Sequence, residues 1–185
     1  MTTKSGCVQV TNGEESFSTW LNKPFISGAL RKDLVRKNVL MVPQEVIRDY
    51  DNPVFPSGSR EILTYLKKFK DKGLEADACI EENDYRELLL HNDLIRLGHF
   101  LVAKVVFPLF ISVLGSYLTN KLGLGQKNTV EFEATVVKDK DSINFKYKGP
   151  ADGFEAHLSA ALPDDIIPKR RRKGRRKGRI GHGTN

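Results

Sequence analysis

One apolar run constrains this chain more than any other feature. Residues 97–118 read LGHFLVAKVVFPLFISVLGSYL. As a helix rising 1.5 Å per residue, the run would extend about 33 Å, enough to cross the hydrocarbon core of a bilayer. It also contains His99, Lys104 and Pro108. A lysine near mid-bilayer costs about 2.5–3.5 kcal/mol, part of which snorkelling recovers when the residue lies off-centre. Proline is tolerated in membrane helices, and Gly115 and Ser116 suit close helix packing. A helix that is apolar all round suits the centre of a globular core equally well. The reading adopted is a long central core helix. An oligomer interface and a membrane segment are the alternatives.

The flanking segments supply apolar faces for such a helix to cover. Val39-Leu40-Met41-Val42 is a short apolar run stopped by Pro43, which predicts a buried strand. Pro53, Pro56 and Gly58 make 44–58 a loop, and the Ser59 hydroxyl is placed to cap the next helix. That helix carries Ile62, Leu63, Leu66 and Phe69 on one side and ends at Gly73. Leu74, Ala76, Ala78 and Ile80 then alternate as in a strand, completing a βαβ unit. Further on, 129–137 and 143–147 alternate β-formers around Lys138-Asp139-Lys140-Asp141-Ser142, which predicts a β-hairpin.

Helices are predicted elsewhere. Phe17, Trp20 and Leu21, then Leu30, Leu34 and Val35, have helical spacing, so the first 38 residues read as short helical pieces. Arg31, Lys32, Arg36 and Lys37 flank the second piece as a solvated face, with a second anion patch as the alternative. Asp84 and Glu87 form a D-x-x-E cap opening a helix through Leu88 to His91, and Asp152 with Glu155 repeats the cap before Phe154, Leu158 and Leu162.

Charge is strongly segregated. The formal net charge is +7, from 30 basic and 23 acidic residues. Nine of the basic residues lie within eleven positions: Lys169, Arg170, Arg171, Arg172, Lys173, Arg175, Arg176, Lys177 and Arg179. Without them 21 basic residues face 23 acidic ones, a net of −2. The basic stretch has no apolar residue to bury, and its like charges repel, so it is expected to be disordered alone. Arginine forks grip phosphate oxygens two at a time, which suits nucleic-acid backbones. With no aromatic side chain for base stacking, little sequence preference is expected. Anionic lipid, an acidic protein or a nuclear-targeting role are competing readings of the same composition.

Motifs for chemistry are scarce. The chain has no P-loop, dinucleotide fingerprint, nucleophile elbow, H-E-x-x-H or C-x-x-C. No cofactor, metal or catalytic residue is therefore assigned. Gly123 and Gly125 read as a helix stop. Glu87 and His91 sit at helical i, i+4 spacing near Asp93, which reads as a surface pair. Glu81, Glu82 and Asp84 read as a solvated loop after a strand, although such positions can bind ligands. Ser57-Gly58-Ser59 could cradle an anion at a helix N-terminus, but capping explains it. Cys7 and Cys79 cannot form a disulfide framework, and Cys79 reads as a small buried residue. Without a signal-like apolar run at residues 1–5, the expected location is cytoplasmic, with membrane association as the variant.

The expected fold is α+β: a small mixed sheet, from the βαβ unit and the C-terminal hairpin, packed on a long apolar helix. The expected organisation is a helical segment at 1–38, a core at 39–163 and a basic tail at 164–185. The expected function is a non-enzymatic accessory subunit that docks on a partner protein, or on its own copy through 97–118, while the tail binds nucleic-acid phosphates. A membrane-associated protein with 97–118 inserted is the first alternative. A small enzyme centred on Glu81, Glu82, Glu87, His91 or Asp93 is the second.

Overall fold

The computed structural model describes residues 7–45, 52–89, 94–122, 128–138, 141–163 and 166. The chain is α+β, with strands β1 (Cys7–Gly13), β2 (Val39–Val42), β3 (Phe55–Pro56), β4 (Ala76–Ala78), β5 (Glu87–Leu88), β6 (Leu94–Ala103), β7 (Thr129–Lys138) and β8 (Asp141–Pro150). The helices are α1 (Phe17–Leu21), α2 (Gly28–Leu34), α3 (Ser59–Lys67), α4 (Phe107–Leu122) and α5 (Phe154–Ala160). Six strands form one mixed sheet in the order β1-β8-β7-β6-β2-β4, and β3 pairs with β5 in a separate two-stranded ribbon. The β2–α3–β4 unit is present, with β2 and β4 parallel, and the β7–β8 hairpin joins the same sheet.

The apolar run divides in two. Its first part is β6, paired parallel to β7 and antiparallel to β2, and α4 begins only at Phe107. The expectation of one helix over 97–118 is therefore corrected. A strand buried on both faces shows no period, so sequence alone cannot separate it from a buried helix. Leu97, Phe100, Leu101 and Val102 of β6 are all fully buried. Pro108 is the second residue of α4, where no intrahelical partner exists for its missing N–H, so it opens the helix instead of kinking it. No helix among the described residues is long and apolar enough to cross a membrane, and insertion of 97–118 as one spanning helix is not supported.

Two further expectations are corrected. Residues 87–88 form β5, not a helix opened by Asp84, and Glu82–Asp84 is a single 3-10 turn. The region expected to be helical up to residue 38 contains β1, which pairs antiparallel with β8 over its whole length. Leu90, His91, Asp93, Gly123 and Gly125 lie outside the described residues.

Hydrophobic burial divides between the faces of the sheet. On one face, Val39, Met41, Phe100, Val102, Phe132, Phe145 and Tyr147 pack with α3, α4 and α5 in the main core. On the other, Leu40, Val42, Cys79 and Leu101 pack under Trp20, Ile26 and Leu34 of the α1–α2 region. These two short helices cover the β6-β2-β4 side. The second face of β1, β8 and β7 carries polar side chains instead.

Candidate functional site

That polar face arises from strand register. Residues directly opposite in a sheet share a face. Three rows therefore run across it: Cys7–Lys148–Glu131–Arg96, Gln9–Lys146–Glu133–His99 and Thr11–Asn144–Thr135–Leu101. His99 reaches its row through a bulge. The β6–β7 register slips by one residue between Arg96 and His99, and Gly98 there has φ +91°, a left-handed conformation that favours glycine. Without the extra residue, His99 would share the core face with Leu97.

The first two rows line a cleft of about 410 Å³, together with Gln44, Pro56, Gly98, Phe132 and Tyr147. His99 Nε2 lies 3.0 Å from Thr135 Oγ1 and 3.5 Å from Glu15 Oε2. Glu133 Oε1 accepts from Asn144 Nδ2 at 2.9 Å and pairs with Lys146 Nζ at 3.1 Å. Arg96 Nε donates to Glu131 Oε2 at 3.2 Å. Burial holds the His99 imidazole below its ordinary value, outweighing the opposing pull of Glu133 and Glu15, with Lys146 acting in the same direction as burial. Burial alone would raise Glu133, but the Asn144 and Lys146 hydrogen bonds and the His99 charge together lower it.

This geometry resembles a hydroxyl and its base, but Thr135 is only 1% exposed, so its hydroxyl has no access to a substrate. Glu15 approaches the same ring nitrogen as Thr135 instead of orienting the opposite one. Arg96, Lys146 and Lys148 are balanced by Glu15, Glu131 and Glu133. The face is a charge-balanced wall without Phe, Tyr or Trp in its three rows, hydrogen-bonded except at the buried Glu15 Oε2 and Asn144 Oδ1.

His99 makes stability depend on pH. The unfolded imidazole titrates near its ordinary value of 6.5, and the folded one titrates lower. The folded chain therefore binds this proton more weakly, so the stability that His99 contributes is complete above about 6.5 and is lost as pH falls through that value. Glu133 acts in the same direction, but only below its ordinary value of 4.5. Melting temperature measured from pH 7 to pH 5 is expected to fall, and His99→Gln is expected to flatten that fall. An identical slope in both proteins would exclude His99 as its source.

The positions singled out in sequence are distributed differently. Glu87 caps α3 from a distance: its Oε2 accepts from Gly58 N at 2.8 Å, and its Oε1 accepts from Arg60 N at 2.7 Å and from Tyr85 Oη at 3.0 Å. Within Ser57-Gly58-Ser59, Gly58 N is thus engaged by a carboxylate of the same chain, and Ser57 N donates to Leu88 O at 3.1 Å. Ser59 is not the cap. Gly58 holds that position with φ 88°, and the buried Ser59 hydroxyl donates to Pro56 O at 2.7 Å. Gly153, likewise left-handed, takes the cap position of α5 where Asp152 was expected.

The acidic group is dispersed. Glu81 accepts from Ser27 Oγ, and Glu82 pairs with Arg60 at 2.6 Å. Cys79 is buried, and burial pushes its thiol up to about 12, so it remains a protonated core residue at neutral pH. Among the described residues, no three His, Cys, Asp or Glu side chains form a metal-binding group. The basic residues from Lys169 to Arg179 lie outside the described residues.

Sequence reasoning missed Glu15, Arg96, Glu131, Glu133, Asn144 and Lys146. A signal was present in the polar alternation of Glu131, Glu133 and Thr135 and of Asn144, Lys146 and Lys148. No protein-family model matches this chain, and no curated protein or solved structure matches it.

Proposed function

We propose that this protein is a non-enzymatic accessory subunit whose folded body docks on a protein partner while Lys169 to Arg179 grip nucleic-acid phosphates. The observation that carries this reading is the segregation of charge, with nine basic residues in the tail and a net of −2 in the remainder. The body adds support because many of its cations are engaged internally. Lys23 pairs with Glu45 at 2.6 Å, Lys67 with Asp77 at 2.8 Å and Lys146 with Glu133 at 3.1 Å, while Lys37 lies between Glu75 and Asp77 at 3.7 and 3.6 Å. A cation already beside a carboxylate releases few counterions when it meets a phosphate. The three polar rows contain no Phe, Tyr or Trp on which a base could stack, and the His99 ring is held at Thr135. Phosphate binding then falls to the tail, and it is indifferent to sequence.

Purification without nuclease tests this directly. The full chain is expected to carry nucleic acid, seen as excess absorbance at 260 nm, and to shed it in high salt. A variant truncated after Pro168 is expected to emerge free of it. Equal nucleic acid on both proteins would place the binding elsewhere, and none on either would exclude the reading.

A further inference from the structure

The sheet has two edges, and only one is guarded. An open edge presents unpaired N–H and C=O groups to any other strand, and proteins guard such edges with short strands, charges, prolines or bulges. The β4 edge is guarded: it has three residues, and its central Asp77 is held by Lys67 at 2.8 Å and Lys37 at 3.6 Å. The β1 edge has none of these devices. Its seven residues, Cys-Val-Gln-Val-Thr-Asn-Gly, include no charge and no proline, and its register with β8 runs unbroken from Cys7↔Lys148 to Gly13↔Ser142. Five of its seven residues are exposed, including Val10 at its centre, 42% exposed. Among the described residues no strand lies beyond it.

We infer that β1 pairs antiparallel with β1 of a second copy, about a two-fold axis at Val10. In that register Val10 meets Val10 of the second copy, Gln9 meets its Thr11, Val8 meets its Asn12 and Cys7 meets its Gly13. Each pair keeps its face of the sheet, so the two six-stranded sheets continue as one. A charge at the axis position would face its own copy, and the uncharged Val10 there sets no such repulsion. The central contact covers the exposed valine with its own copy. The polar row that contains Gln9, Lys146, Glu133 and His99 then continues across the interface through Thr11 of the second copy.

A seven-residue strand pair is a small interface, so a weak, reversible dimer is expected. The inference does not depend on what the tail binds. A dimer would carry two tails on one particle, which raises the apparent affinity for any long polyanion by effective concentration.

Sedimentation equilibrium of the full chain, from roughly 1 to 500 µM, is expected to show reversible dimerisation. Val10→Lys places two ammonium groups on the axis and is expected to give a folded monomer over the same range. Val10→Cys in a Cys7→Ser background is expected to form an intermolecular disulfide under mild oxidation, because directly opposed Cα atoms in an antiparallel pair lie about 4.5–5.5 Å apart, within disulfide reach. A wild-type chain monomeric throughout overturns the inference. So does a dimer that persists undiminished in folded Val10→Lys, or a Val10→Cys chain that stays monomeric after oxidation. Should Val10→Lys fail to fold, the crosslink decides.

Discussion

Phe100→Ala is expected to cost about 3–5 kcal/mol of folding stability, because it removes a fully buried ring and leaves a cavity that the surroundings refill only in part. Phe100 lies on the core face of β6, one of the two central strands of the six-stranded sheet. Its ring centroid is 5.1 Å from that of Phe110 on α4 and 6.0 Å from that of Phe132 on β7. Phe107 joins Phe145 at 5.1 Å, and Phe132 meets Phe154 edge-on at 5.3 Å, so the same aromatic cluster ties α4, α5 and three strands together. Aromatic contacts of this kind add roughly 0.5–1.5 kcal/mol per pair beyond their buried area. A domain of ordinary stability has about 5–15 kcal/mol in total, so the variant should unfold at a much lower urea midpoint. Val105→Ala is the control. That side chain is 87% exposed, and its loss should change stability by less than about 0.5 kcal/mol. Similar midpoints for the two variants would contradict the assignment of the core.

Glu87→Ala is expected to cost about 1–3 kcal/mol, although Glu87 lies on the exposed side of a two-residue strand. Its carboxylate accepts two backbone N–H groups at the start of α3 and the Tyr85 hydroxyl. It also places negative charge at the positive end of the helix dipole. The loss would leave those donors to water and release β5 from α3. Tyr85 would lose a partner as well. It stacks on Phe55 with centroids 4.7 Å apart and lies under the Arg60 guanidinium at 4.3 Å. Glu87→Gln retains one acceptor but turns an amide N–H₂ toward a backbone donor, so a partial loss is expected. Urea denaturation of both variants checks this, and a neutral Glu87→Ala would show that the cap contributes nothing.

Elements with a local signature were legible in the sequence. The β2–α3–β4 unit showed an apolar run, an amphipathic helix and an alternating strand, although α3 ends at Lys67 and the expected stop, Gly73, closes a 3-10 turn at Lys70–Lys72 instead. The hairpin showed alternation on both arms around a charged turn. Misread elements had signals that were weak or symmetric. β1 is an edge strand with two valines in seven residues, so burial imposes little pattern on it. β6 is buried on both faces over Phe100, Leu101 and Val102 and joins α4 through a single 3-10 turn at Lys104–Val106, so no polar residue marks the change apart from Lys104.

Long-range effects were not legible. Glu87 caps a helix that begins 28 positions earlier in the sequence, and no local pattern encodes that pairing. His99 reaches the polar face only because Gly98 permits a bulge, and the rows it joins depend on the registers of four strands. The tail is the converse case, visible in composition alone.

Phosphate binding by that tail is tested most directly by the salt dependence of binding to a duplex or single strand of arbitrary sequence. If all nine charges meet phosphates, log K should fall against log salt with a slope of about −6 to −8 for the full chain. The chain truncated after Pro168 should bind weakly, with a slope near zero. A shallow slope for the full chain, or an equal slope for both proteins, would contradict the assignment of phosphate binding to Lys169–Arg179.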